Sequence, residues 1–399
     1  MDATDHSGHL TVYGAPWCGD CKRTKKFLGE QRVHYDWVDI EQDADAQAYV
    51  ERANGGKRII PTLVFGDQSL LVEPTNAELA AKLGLKTQAR MDYYDLIVLG
   101  GGPAGLTAAL YSAREGLEVL VIERSGLGGQ AGVTERLENF PGFPDGIGGA
   151  EFADRLTEQA RRFGVELLQA QECRSLRSER ESRYVSTSDG REYGARAILL
   201  TTGSTYRRLD VPGEDDLIGA GIHFCATCDG PFYKGKTVAV VGGGNSAGEE
   251  SLFLTRFAGK VTLLVRGEAL SASKIVCDKL ESHPKIEILY DMEIREFHGS
   301  ETGKLNGVTA RNRKTGASLR ISPDGVFVFI GMTPNSGWLP EIVARDNYGF
   351  IVTNATLETS LPGVFAAGDV RLGSTKQAAS AAGEGATAAL MIRDYLKKN

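Results

Sequence analysis

The chain has 399 residues, enough for two or three domains at about 150 residues each, and 49 of them are glycine, well above the roughly 7 % of an average soluble chain. With 42 % hydrophobic and 24 % charged residues it can bury a core in each domain, which excludes disorder and a coiled coil. A formal net charge of −7 argues against a nucleic-acid or anionic-lipid surface, and no apolar run reaches the roughly 20 residues that a bilayer requires, so a cytoplasmic protein with neither membrane nor nucleic-acid partners is expected.

In chain order, residues 1–85 read as a strand (HLTVYG), a turn (PWCGDC), a helix (KRTKKFLGEQ), a strand (VHYDWVDI), a helix (AQAYVERANG) and a strand ending IIPTLVFGD. That order suits a small mixed sheet covered by helices. The turn holds the first of two C-x-x-C pairs, Cys18/Cys21, and the second is Cys225/Cys228. Such pairs mean redox chemistry or zinc, but paired zinc motifs usually stand about 15 to 20 residues apart, and these lie far apart in unlike contexts. Cys18 falls where strand passes to helix, followed by Lys22, Arg23, Lys25 and Lys26, so helix dipole and cations are both expected to favour its thiolate. Cys173 and Cys277 stand alone in apolar surroundings and are assigned no function.

The stretches YGAPWCGDC, VDIEQDADA, NGGKRIIPTLVFGD and LVEPTNAELAAKL resemble a glutaredoxin of the mycoredoxin type across this whole segment. The resemblance implies a thioredoxin-like fold, attack by Cys18, resolution by Cys21 and a cis Ile60-Pro61 bond. LVEPTN stands where glutaredoxins carry the Gly-Gly-x-x-Asp that grips glutathione, which leaves the partner thiol open.

The stretch GLKTQARM breaks the pattern, so residues 86–91 read as a short flexible linker. Beyond it lies an internal repeat without gaps: DLIVLGGGPAGLTAALYSAREGLEVLVIER matches TVAVVGGGNSAGEESLFLTRFAGKVTLLVR at an offset of 142 residues (Gly100 to Gly242). Gly100, Gly102 and Gly105 align with Gly242, Gly244 and Ala247, with Pro103 and Ala104 opposite Asn245 and Ser246. Each copy is a dinucleotide fingerprint of strand, glycine turn and helix. The second strand of the first copy ends in Glu123, placed to accept from ribose hydroxyls; its counterpart is Val265 followed by Arg266, which tilts that site toward NADPH while NADH use stays open.

Two nucleotide sites and a cysteine pair point to hydride chemistry joined to disulfide reduction through a flavin. The motifs GGGPAGLTAA, GLGGQAGVTERLENFPGF, CATCDGPFYKGK, VVGGGNSAGEE, FIGMTPN, TSLPGVFAAGDVR and KQAASAAGEGATAA resemble low-molecular-weight thioredoxin reductase over 92–399. The resemblance implies FAD in the first copy, with Gly129, Gln130 and Asn139 around it, Gly368 and Asp369 at the ribityl chain, and Gln377 and Ala378 near the ring. It implies that Cys228 faces the flavin, Cys225 exchanges with the partner disulfide and Asp229 handles the proton. Departures are Gly267 and Ser271 in place of two further arginines, and Lys376 in place of another.

The expected fold is therefore α/β, a thioredoxin-like domain (1–85) followed by two Rossmann-like domains: FAD (92–211 and 325–399) and NAD(P) (212–324). Two connecting strands near 204–212 and 322–334 are expected to let the latter swivel. The expected function is a homodimeric reductase passing electrons from NAD(P)H through FAD and Cys225/Cys228 to Cys18/Cys21, then to a low-molecular-weight mixed disulfide, a thioredoxin or another protein disulfide. A peroxiredoxin-reducing flavoprotein of the alkyl hydroperoxide reductase type, a redox sensor and a ferredoxin-fed enzyme are the alternatives.

Overall fold

Alternating and continuous apolar runs sort the strands into two kinds of sheet. In the computed structural model, which describes residues 9–134, 136–137, 139–300 and 303–398 without the side chains of Thr227 and Cys228, the first unit is a four-stranded mixed sheet. It contains β1 (Thr11–Gly14), α1 (Gly19–Glu30), β2 (Asp36–Asp39), α2 (Ala44–Ala53), β3 (Thr62–Val64), β4 (Leu70–Val72) and α3 (Asn76–Lys82), with strand order β2-β1-β3-β4. β2 runs parallel to β1, and β3 antiparallel. Helix α1 turns Cys21, Thr24, Phe27 and Leu28 inward at helical spacing, and the last two meet Val12, Leu63 and Leu79 in the core. The Ile60-Pro61 bond is cis, as expected. A reciprocal Thr75/Glu78 capping box starts α3.

The second unit contains β5 (Tyr93–Leu99), α4 (Pro103–Arg114) and β6 (Val119–Ile122). Its seven-stranded sheet runs 173–179, 182–187, 192–200, β5, β6, 166–168, with 364–366 also pairing to 192–200. β5 pairs parallel with strands on both sides, and residues on its two faces enter separate buried clusters, which is why LIVL reads as continuous apolar sequence. The C-terminal helix Ala378–Lys398 lies against α4 so closely that a Cβ on Gly385 would collide with Ala104 O.

The third unit is a five-stranded parallel sheet in the order 222–223, 325–328, 237–241, 260–264, 286–289, with an antiparallel meander 292–299, 305–312, 318–321 beside it. One expectation is corrected here. Gly325–Val328, assigned to the FAD portion, pairs in parallel with Thr237–Val241, and Val326, Phe327 and Val328 enter the buried clusters of the nicotinamide-side unit. The connection between units is the two-stranded ribbon Ser204–Tyr206 and Met332–Pro334, so only the end of the expected second connecting segment lies in it.

Residues 84–91 hold no helix or strand, yet they are not a free tether. Lys86 Nζ and the Arg90 backbone N–H both donate to Glu166 Oε1, at 2.5 and 2.8 Å, while Arg90 Nε and Tyr94 OH donate to Glu166 Oε2 at 3.1 and 2.7 Å. Burial works to raise the Glu166 carboxyl, but these donors outweigh it and hold it at about 2. Among the described residues no helix is long and apolar enough to cross a membrane.

Candidate redox and dinucleotide sites

Cys18 is the N-cap of α1, where β1 hands over to the helix. Its Sγ accepts the Cys21 backbone N–H at 3.1 Å and lies 3.7 Å from Ile60 O, beside the cis proline. Both cysteines are free thiols and buried, 6 % and 1 % exposed, while Trp17 next to Cys18 in the chain is 65 % exposed. Burial, then the contact with Cys18, pushes the Cys21 thiol up to about 12. The cations expected to assist Cys18 are drawn elsewhere. Arg23 pairs with Asp20 and donates to Pro74 O, Lys25 lies over Trp37, and Lys26 reaches Glu30. Electrostatic help at Cys18 is thus left to the helix N-terminus, with Lys22 exposed beyond it.

The two fingerprints are alike in detail. Gly100 N donates to Ile122 O at 2.9 Å, and Gly242 N to Leu264 O at 3.1 Å, a pair shifted by the same 142 residues as the sequence repeat. Gly100 (φ +110°) and Gly242 (φ +150°) both pass a neighbouring carbonyl, Thr201 O and Phe329 O, where a Cβ would collide. Gly102 and Gly244 are the N-caps of α4 and of the helix Asn245–Leu254, and neither helix has a side-chain cap. Their first N–H groups, which in α4 begin at Ala104 because Pro103 has none, are therefore available to an anion, as a pyrophosphate site needs. Gly105 packs against Gly100 O, where no Cβ fits, and Ala247 is fully buried.

Around the first fingerprint the residues fit FAD. Glu123 Oε2 and Oε1 accept from Gly101 N and Ser125 N at 2.6 and 2.7 Å, and burial raises its carboxyl against those two N–H groups. Gly129 (φ +56°) approaches so closely that a Cβ would stand 3.0 Å from Gly102 Cα, and exposed Gln130 follows it. Asn139 Nδ2 donates to Gln377 Oε1 at 3.0 Å, which joins two expected flavin neighbours 238 residues apart. Gly368 (φ +75°) and Asp369 form a single turn; Gly368 N donates to Glu384 Oε2 at 2.8 Å, and burial raises the Asp369 carboxyl, with Lys376 and Ser374 working against it. Ala378 opens the C-terminal helix. Lys376, in place of the expected arginine, donates to Asp369 O at 2.6 Å and lies over Phe350.

At the second fingerprint Asn245 Oδ1 accepts from Ser273 N at 2.7 Å, and Ser271 Oγ donates to Gly243 O at 3.1 Å, so this serine braces the glycine turn. Ser246 follows Asn245 in the exposed start of the helix. Arg266 is exposed at the strand end. Sequence reasoning missed its neighbour Arg313, whose Nη1 donates to Arg266 O at 3.2 Å from the turn between two meander strands. No sequence spacing signals that approach, because 47 residues separate the two.

Cys225 is disulfide-bonded; the side chain of Cys228 lies outside the described residues. Asp229 N donates to Cys225 O at 3.1 Å. His223 was also missed: Nδ1 lies 3.5 Å from Asp229 Oδ2, and Nε2 is 2.7 Å from Tyr233 OH. Its place two residues before the C-x-x-C pair was the available signal. Tyr206, on the ribbon, stacks on Phe224 at 4.9 Å. Burial pushes its phenol up to about 12, helped by the negative charges of Asp369 and Asp229, so the flavin-side carboxylate and the dithiol segment share one neighbourhood.

The Pyridine nucleotide-disulphide oxidoreductase family matches residues 94–385, and Glutaredoxin matches residues 10–70. The chain is 40 % identical over 305 residues to thioredoxin reductase of Bacillus subtilis, covering 76 % of this chain and 95 % of that one. It is 42 % identical over 307 residues to a bifunctional thioredoxin reductase/thioredoxin of Mycobacterium leprae, covering 77 % of this chain and 66 % of that protein. A thioredoxin reductase structure from Streptococcus pyogenes superposes with a TM-score of 0.73 at 38 % identity, over 77 % of this chain and 99 % of that one.

Proposed function

Because the chain belongs to the pyridine nucleotide-disulphide oxidoreductase family and carries a glutaredoxin domain, we propose that it is a reductase with an internal relay. Two electrons leave Cys225/Cys228 for Cys18/Cys21 and then reduce an external disulfide. Bound FAD supplies the chemistry that side chains lack, taking hydride from a nicotinamide and giving two electrons to a disulfide. Gly100, Gly102, Gly105, Glu123, Gly129, Asn139, Asp369 and Gln377 would hold it. Gly242, Gly244, Ala247, Arg266 and Arg313 would hold NADPH.

The observation that carries the relay is that both halves of an exchange stand in one chain: a disulfide at Cys225 and a buried free dithiol at Cys18/Cys21. In the exchange, a thiolate of the reduced Cys225/Cys228 pair attacks an oxidised Cys18–Cys21 disulfide, and its partner sulfur closes the pair again, leaving two thiols in the first domain. Cys18 then attacks the substrate disulfide and expels one thiol; Cys21 displaces the second and returns the pair to a disulfide. Each turn consumes two electrons and two protons. Asp229, with His223 and Tyr233 behind it, supports proton delivery at the first dithiol. Rotation about the ribbon 204–206/332–334 would carry that dithiol away from the flavin neighbourhood.

The substrate class is a low-molecular-weight mixed disulfide or a protein disulfide such as a thioredoxin, and a homodimer is the proposed assembly. The test is anaerobic stopped-flow on Cys18→Ser. Flavin reduction by NADPH should stay at the wild-type rate while reoxidation by the substrate disulfide is lost. Reoxidation at the wild-type rate with every disulfide offered would remove the first domain from the route.

A further inference from the structure

The end of α1 opposite its cysteines enters the glycine loop of the FAD unit. Glu30 O accepts from Gly126 N at 2.7 Å, and Gln31 Nε2 donates to Arg124 O at 2.9 Å. The Arg32 guanidinium donates to Leu127 O, to Gly126 O at 3.1 Å and to Gly129 O at 2.7 Å. Glycines make room for it: a Cβ on Gly132 would collide with the guanidinium, and one on Gly126 would stand 3.0 Å from Arg32 Nε. Arg32 itself has φ +58°, a left-handed turn that aims its side chain out of the helix end.

Two features set this contact apart from ordinary domain packing. Its carbonyl partners are neutral dipoles, so the guanidinium brings a positive charge to a loop that leads from Glu123 to Gly129. Burial lowers the guanidinium pKa, while the negative charges of Glu123 and Asp154 support the cation. Beside it, Gln31 Oε1 is buried without a donor. A buried amide oxygen without a donor is what a ligand hydroxyl or amine satisfies, and a cation on the loop whose Gly129 packs against Gly102 of the fingerprint is what a diphosphate attracts.

We propose that Gln31 and Arg32 of the glutaredoxin domain belong to the FAD site. They complete its adenosine-diphosphate end, so FAD binding and docking of the domain strengthen one another. By linkage the effect is reciprocal: docking raises FAD affinity to the extent that FAD favours docking. The inference rests on FAD binding alone and is independent of where the electrons go.

The experiment titrates FAD into the apoprotein by flavin fluorescence and follows proteolysis within residues 84–91 in the apo and FAD-loaded forms. Arg32→Asn is the main variant, since asparagine tolerates the left-handed backbone without the charge. It should bind FAD about tenfold more weakly, the size of effect that losing one charge-assisted contact produces. FAD should slow cleavage in the wild type, and that protection should shrink in Arg32→Asn. Wild-type or tighter FAD affinity in the variant, or cleavage indifferent to FAD in the wild type, overturns the proposal. If Arg32→Asn does not fold, Arg32→Gly removes the charge with a residue that adopts the left-handed backbone freely; weakened binding supports the proposal and unchanged affinity overturns it. Cys18→Ser should bind FAD like the wild type, so failure of the relay and failure of this inference give different readings.

Discussion

Cys21 donates its backbone N–H to Cys18 Sγ at 3.1 Å while its own thiol is only 1 % exposed and held at about 12. The C-x-x-C turn thus places one sulfur where a helix N-terminus points at it and buries the other behind it. In the fully reduced protein at pH 8, a thiol titrating at about 12 is ionised to roughly one part in ten thousand. Iodoacetamide should therefore label Cys18 ahead of Cys21 by a wide margin in peptide maps. Labelling of Cys21 ahead of Cys18 would mean that the two roles are reversed, and equal labelling would mean that the turn does not separate them.

Arg266 and Arg313 meet through the backbone of the former, placing a second guanidinium at the strand end where the family pattern's further arginines are missing. A charged contact to a phosphate contributes roughly 1.5 to 3 kcal/mol. Arg266→Ala should cut the NADPH-to-NADH ratio of kcat/KM by about tenfold or more, and adding Arg313→Ala should bring it close to unity. An unchanged ratio in the double variant would place the 2′-phosphate elsewhere.

Glu166 gathers donors from Lys86, Arg90 and Tyr94 and fastens residues 84–91 to the FAD unit. Its folded value, about 2, lies below the ordinary 4.5. A depressed carboxylate contributes stability that is complete above 4.5 and lost as pH falls toward 2, up to about 3 kcal/mol by linkage. Glu166→Gln should lower the melting temperature at pH 7, narrow the difference in melting temperature between pH 7 and pH 4, and speed proteolysis at 84–91. A variant that keeps the wild-type pH dependence would show that the cluster does not carry this linkage.

The glycine turns, the helices after them and the paired offset of 142 residues were legible because close backbone approach permits few residue types, as Gly100 against Thr201 O and Gly105 against Gly100 O illustrate. Cys18 at a helix start was legible for the same local reason. The capping box at Thr75 and Glu78 stood in the sequence as T-x-x-E and went unread as a helix start. What the sequence hides is contact at long separation. Arg32 looks like one more surface cation after a helix until the FAD loop is brought to it, and 94 residues separate it from Gly126. Gly325–Val328 is an apolar strand equally suited to either sheet, and only its pairing with Thr237–Val241 decides between them. Residues 84–91 look like linker because their holdfast, Glu166, lies far along the chain.

That holdfast and Arg32 together fix the glutaredoxin domain to its own FAD unit, and the same FAD unit carries the ribbon that bears the Cys225 segment. At 1.5 Å per residue the 12 residues of α1 put Cys18 about 18 Å from the docked end, on the side away from the FAD loop. Exchange within one chain needs no second subunit and keeps both partners at high effective concentration. The expected outcome is therefore exchange in cis. Cys18→Ser and Cys228→Ser chains, co-expressed with different tags and purified as any mixed dimer that forms, each lack one station of the relay. In cis neither chain can finish a turn, and such a dimer should be inactive toward the disulfide while still passing NADPH electrons to ferricyanide. If disulfide reduction returns in the mixed dimer to about half the wild-type rate, the dithiol of one subunit serves the glutaredoxin domain of the other, and the docked first domain is positioned for its partner.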